Sequence, residues 1–324
     1  VEAFLSDYGL FLLELLTVAV IVVAAVLVIA SAARKPRDGD RLTVEHINES
    51  LTKRTDEARR QILGKRDSRK FLRERKKREK QEQAAGKERK RIFVIDFKGD
   101  IRASATASLR EEVSAVLELA RDGDEVLMRL ENAGGAVHEH GLAASQLLRL
   151  RARGIPLTVA VDKVAASGGY LMACAADRIV AAPFAIIGSI GVLLQLPNFH
   201  RLLEDKGIDF EQITAGRFKR TLTVFGENTE EGREKMKEEL AEVHDLFKQR
   251  IHELRPAVDL DQVATGEHWY GSKALELKLI DEIGTSDDFL LAAVESADLY
   301  KLSFTRHKQF VERVLQGAEG ALYR

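Results

Sequence analysis

Three glycine-rich stretches carry the residues best suited to chemistry. VAASGGY (164–170) sets Ser167 between two alanines and two glycines. ENAGGAV (131–137) and IIGSIGV (186–192) are the other two, and Ser189 sits in the last. Glycines at strand-to-helix turns bare backbone N–H groups and let a second backbone come close. If the first two turns share one sheet edge, Gly134 or Gly135 and the Ser167 region offer N–H donors to a developing oxyanion. Ser167 is then a candidate nucleophile for acyl transfer. The competing reading keeps it as a small residue that lets a strand and a helix pack closely.

A serine hydroxyl needs a base. His138 and His140 follow the ENAGG turn as HEH, early in a helix whose apolar partners are Leu142, Ala143 and Leu147. Both are expected to be exposed. H-x-H alone makes a weak metal site, and no second ligand cluster accompanies it, so neither a metal nor a cofactor is expected. A lysine serves as base if burial keeps it neutral. Lys163 and Lys219 both qualify by surroundings, and spacing alone does not choose between them.

These residues lie in an alternating series of elements. Strands are predicted at 91–97, 124–130, 156–161, 178–182 and 185–193. Helices are predicted at 107–122, at about 137–151 and from near Ser167. This alternation argues for a parallel sheet flanked by helices, with the first two glycine turns at its carboxyl edge. From Asn228 the chain is expected to be mainly helical, beginning with a long amphipathic helix that has a capping-type start.

Composition sets wider bounds. The 324 residues are 45% hydrophobic and 31% charged, with a formal net charge of -1, so the chain as a whole is no polyanion binder. The single cysteine, Cys174, allows no intrachain disulfide. After a tail (1–9), residues 10–33 read as an uncleaved transmembrane anchor. Leu15 to Ala33 carry no charge, and about 1.5 Å per residue nearly spans a bilayer core of about 30 Å. Arg34, Lys35, Arg37 and Arg41 follow the span and no Lys or Arg precedes it, which puts the C-terminal body in the cytoplasm. Residues 34–90 read as a charged, partly helical neck, strongly basic from Lys65. A solvated neck or a lipid-headgroup patch suits it better than a nucleic-acid site, since Phe71 is its lone aromatic residue. Residues 91–324 form the α/β body.

VDKVAASGGYLMACAAD, APFAIIGSIGV, TAGRFKRTLT with GENTEEGREK, and QVATGEHWYG together resemble the signal-peptide-peptidase family of serine–lysine peptidases. The resemblance runs from the anchor to about residue 290. It implies a Clp protease/crotonase-like fold and a membrane-anchored serine endopeptidase acting on small or unfolded peptides such as remnant signal peptides. It implies Ser167 as nucleophile, Lys219 as general base, Ser189 as the residue that holds that lysine, and an oxyanion donor at Gly134 or Gly135. It also implies a homo-oligomeric ring, with sites shared between subunits, in a bacterial inner membrane. Resemblance to envelope peptidases favours a periplasmic body, against the charge rule. One departure stands out: the family's usual S-P-G-G turn is Asn132-Ala133-Gly134-Gly135 here. Alanine does not fix φ as proline does, and it adds an N–H that needs a partner. A scaffold that has kept the fold and lost efficient catalysis is the rival this departure motivates.

Overall fold

A computed structural model describes residues 13, 15–18, 20, 40–84 and 89–306. Of the anchor expected at 10–33, all but residues 13, 15–18 and 20 lies outside the described residues. Among the described residues, no helix is long and apolar enough to cross a membrane. Along the chain come β1 (Arg41–His46), α1 (Ile47–Ala84), β2 (Lys90–Lys98), α2 (Thr106–Leu119), β3 (Glu125–Glu131), α3 (Val137–Ala152), β4 (Leu157–Val161) and β5 (Val164–Ala166). Then follow α4 (Gly168–Cys174), β6 (Arg178–Ala181), β7 (Ile186–Gly188), α5 (His200–Asp205), α6 (Glu230–Leu254) and α7 (Leu260–Val263). The last are β8 (His268–Tyr270), α8 (Gly271–Glu276), β9 (Glu282–Ile283), α9 (Ser286–Val294) and β10 (Ala297–Thr305).

The fold is α/β. A seven-stranded sheet runs β1-β10-β2-β3-β4-β6-β9, and its strands from β10 to β9 pair in parallel. Its strands alternate between two buried faces, as a covered parallel sheet requires. Phe93, Ile95 and Phe97 of β2, with Val126, Met128 and Leu130 of β3, join the core that holds Leu109 and Val113 of α2 and Leu147 and Leu150 of α3. Ile92, Val94, Leu127 and Leu299 face the other way, with Leu290 of α9 and Ile47 at the start of α1. A second sheet, β5-β7-β8, carries the site.

The described chain from Asn228 is mainly helical, as expected, yet it also supplies β8, β9 and β10, the last inserted between β1 and β2. Two expectations change. The strand expected over 185–193 stops at Gly188, because Ser189 turns to φ 52° and ends the pairing. The expected neck supplies an edge strand, β1, and a helix that folds back. Gly64 breaks α1 with φ 74° and ψ 169°. Beyond it, Arg75 reaches Asp56 with two 3.0 Å hydrogen bonds, and Arg59 covers the Phe71 ring at 3.8 Å. In a straight helix, residues nineteen apart would be separated by about 28 Å.

Candidate active site

Ser167 sits where β5 hands over to α4. β5 pairs with β7 in parallel, Ala166 opposite Gly188, and the Ser167 N–H donates to Gly188 O at 2.7 Å. The next residue on each strand is therefore a serine, Ser167 on one and Ser189 on the other. Ser167 has φ 51° and ψ -123°, a conformation that costs a non-glycine residue about 1–3 kcal/mol. Such strain persists only where the surroundings hold it, and here they do. Leu171 N–H donates to Ser167 O on the helix side, and β7 holds the strand side.

The ENAGG turn lies directly against this serine. An isolated bridge from Asn132 to Ala165 ties the end of β3 to β5. Gly134 has φ 89°, and a Cβ on it would come 2.7 Å from Ser167 Cβ and 2.9 Å from Gly168 N. Only glycine fits there. Its N–H is spent inside the turn, donating to Asn132 Oδ1 at 2.9 Å. Of the two glycines singled out as donors, Gly134 therefore gives room. Among the described residues, the Gly135 N–H meets no acceptor, nor does that of Gly168, whose place at the first turn of α4 demands no helical acceptor.

A cavity of about 540 Å³ opens beside Ser167. Val137 and Leu148 of α3 and Leu171 of α4 line one side, and Val243, Leu246 and Phe247 of α6 the other. Beyond β7, Val192 reaches the cavity, whereas Leu193 and Leu194 are exposed and do not line it. The long helix starts as expected, with Thr229 Oγ1 accepting the Gly232 N–H. Its far end is pinned by Arg255, which donates to both Asp281 oxygens at 2.8 and 2.7 Å. Asp281 also accepts the Ile179 N–H of β6 at 2.7 Å. Burial pushes the Asp281 carboxyl up, but Arg255 and the Ile179 N–H outweigh it and hold the group below its ordinary range. The cavity wall is thus anchored to the sheet.

The two candidate bases sit elsewhere in a single chain. Lys163 is held at 3.2 Å by Glu131 and lines a different, charged cavity with Asp96 and Arg129. Lys219 is exposed, on a turn that its own N–H closes to Gly216 O, and it does not line the Ser167 cavity. Ser189 is half-buried, its N–H donating to Glu267 O at 2.7 Å. One chain therefore brings together Ser167, Ser189, Gly134 and Gly135, and leaves Lys219 apart. No cluster of acidic, His and Cys side chains able to hold a metal occurs among the described residues.

The two histidines part company. His138 is exposed, but His140 is fully buried beneath the site, against expectation. Residues two apart on a helix point about 200° from each other, so one of a pair must turn inward. The sequence held the signal. His140 precedes Ala143, Ala144 and Leu147 by three, four and seven residues, and all three are buried.

The model of peptidase family S49, N-terminal, matches residues 3–147, and that of peptidase family S49 matches residues 149–300. "Probable protease SohB" of Haemophilus influenzae is 45% identical over 329 residues, covering 97% of this chain and 93% of that protein. "Probable protease SohB" of Buchnera aphidicola subsp. Acyrthosiphon pisum is 57% identical over 225 residues, covering 69% and 67%. Among solved structures, a mutant of a membrane-bound stomatin-specific protease in complex with a substrate peptide covers 70% of this chain and 96% of its own, at 12% identity and a TM-score of 0.45. Matched along nearly its whole length by a relative and by two adjoining models, the chain belongs to peptidase family S49.

Proposed function

We propose that this peptidase is a serine endopeptidase with a Ser167–Lys219 dyad. The observation that carries the reading is Ser167 itself, strained at φ 51° between β5 and α4, beside a glycine turn and an apolar cavity. Ser167 Oγ bonds to the substrate's carbonyl carbon, and its proton passes to neutral Lys219 Nζ. The carbonyl π electrons move onto oxygen, where the Gly135 and Gly168 N–H groups receive the charge. When the C–N bond breaks, Lys219 returns the proton to the leaving amine. Water then cleaves the acyl-serine by the same route. Ser189, just past the end of β7, holds the lysine. The apolar lining suits a substrate with a hydrophobic side chain next to the scissile bond, as remnant signal peptides have.

Because Lys219 stands off the cavity in one chain, this reading completes each site across a homo-oligomer, with the lysine supplied by a neighbouring copy. The experiment is complementation on an unstructured peptide. Ser167→Ala and Lys219→Ala each lower turnover by at least about 1,000-fold, and mixing the two inactive variants restores a fraction of it. If both single variants keep wild-type cleavage, the dyad is wrong. If both are dead and mixing restores nothing, the dyad lies within one chain.

The exposure of Lys219 also favours a second reading, a membrane scaffold of the same fold that turns over poorly. A serine-reactive fluorophosphonate separates them: the peptidase labels at Ser167 in the assembled protein, and the scaffold does not. Anchoring through residues 10–33 in a bacterial inner membrane is part of the proposal. Protease accessibility of the body in spheroplasts decides between the cytoplasmic side, favoured by charge, and the periplasmic side, favoured by resemblance.

A further inference from the structure

Beneath the Ser167 turn lie two buried polar side chains, Asn132 and His140, that the mechanism above does not use. Asn132 follows the last residue of β3, and its backbone is stapled to β5. Its N–H donates to Val164 O at 2.9 Å, and its carbonyl accepts the Ala166 N–H at 3.0 Å. Its side chain looks two ways. Oδ1 accepts the Gly134 N–H, and Nδ2 lies 3.2 Å from Met172 Sδ on α4. His140 Nε2 lies 3.2 Å from the same Oδ1, and Nδ1 lies 3.0 Å from Ala136 O. Both ring nitrogens thus face oxygen acceptors; a neutral ring donates to one of them, and the tautomer with its proton on Nε2 donates to Asn132 Oδ1. The imidazole also fills the space under Gly168, where a Cβ would come 2.5 Å from His140 Cγ.

One pair therefore touches both segments that would hold an oxyanion. Asn132 sets the Gly134–Gly135 turn through the Gly134 N–H. His140 supports Gly168 from below and fixes the Asn132 amide. We propose that Asn132 and His140 are a positioning pair that holds the Gly135 and Gly168 N–H groups at the spacing an oxyanion needs. The inference rests on reading Ser167 as the nucleophile. It also bears on the Asn132-Ala133 departure: where proline is missing from the turn, the hydrogen bond that the Asn132 side chain accepts from the Gly134 N–H supplies the stiffness, and His140 keeps that side chain in place.

The test uses the full-length assembled protein with His140→Phe, His140→Gln and Asn132→Ala. Phenylalanine keeps a ring under Gly168 and removes the donor. Glutamine carries an amide nitrogen at about the same reach. A fluorogenic unstructured peptide gives kcat and KM, and a peptide aldehyde of the same sequence reports the oxyanion, because its adduct with the serine places an oxygen there. His140→Phe and Asn132→Ala are expected to lower kcat 10- to 100-fold with KM within twofold. The aldehyde should weaken by a similar factor, and His140→Gln should recover at least a third of the loss on a logarithmic scale.

If His140→Phe keeps kcat within twofold, the pair does not position the site. The proposal is equally overturned if every variant loses kcat in step with a fall in Tm while aldehyde affinity stays at the wild-type value, since that is a folding effect. Ser167→Ala in the same assay distinguishes the two levels. If it still turns over, the nucleophile reading fails and takes the pair with it. If it is dead and His140→Phe is unimpaired, the pair alone fails.

Discussion

At the scale of single residues, the site is a problem of space as much as of reactivity. Gly134 is the clearest case. Its φ of 89° and the 2.7 Å approach to Ser167 Cβ leave no room for a methyl group. Gly134→Ala should cost about 1–2 kcal/mol in backbone strain and push the turn away from the serine. A 1 Å displacement of donors lowers turnover by about 100-fold. We expect that loss in kcat, with the protein still folded by circular dichroism, and a variant as active as wild type would remove the close approach from the account. Much of this was legible in the sequence, because Gly-Gly and Ser-Gly-Gly at strand ends are punctuation that few other roles require. His140 is buried against the exposure expected of it, although the helical phase of HEH carries the signal. Lys219 is readable as a base only by resemblance, for Ser167, the nucleophile proposed for it, is far along the chain, and Lys219 stands exposed off the Ser167 cavity in one copy.

At the scale of elements, the wall of the cavity depends on one ion pair. α6 contributes Val243, Leu246 and Phe247, and its last turn is tied to the sheet through Arg255 and Asp281. Asp281→Asn removes the charge that Arg255 neutralises and leaves a half-buried guanidinium with weaker acceptors. We expect about 2–3 kcal/mol of lost stability and a raised KM for hydrophobic peptides, read from urea unfolding and steady-state kinetics. The sign with pH follows from the depressed carboxyl. The contribution is in place above the ordinary aspartate range and disappears as pH falls through the lower folded value, so wild type and variant should converge in acid. Equal stabilities at neutral pH would deny the tie. The Thr229 cap and the long helix were legible, since a capping residue, acidic first turn and amphipathic run are all local. β8 and β9 were not. Strands of three and two residues have no period to detect, and the neighbours they pair with create them. β10 had the length and the alternation of a strand, but a preceding helical stretch masked it.

At the scale of the whole molecule, the near-terminal strand is joined to the body by a buried acid. β10 sits between β1 and β2, and the Phe304 N–H near its end donates to Glu112 Oε1 of α2 at 2.8 Å. Burial, with Asp96 adding to it, outweighs the downward pull of the Phe304 N–H and Lys301 and leaves the Glu112 carboxyl raised to about 7. A raised acid favours the folded state in its protonated form. Between the ordinary glutamate value and about 7 the folded chain holds more protons than the unfolded one, so stability falls as pH rises through that window. A shift of this size corresponds to about 3 kcal/mol across it. Glu112→Gln keeps an oxygen acceptor for Phe304 and never ionises. The variant should therefore match wild type near pH 4.5 and exceed it by up to about 3 kcal/mol at pH 8. Urea unfolding of both proteins at several pH values reads the difference, in which titrations common to the two cancel. Parallel stability curves would mean that Glu112 ionises freely in the folded protein, and that β10 is held by its ladder of hydrogen bonds to β2 without help from the acid.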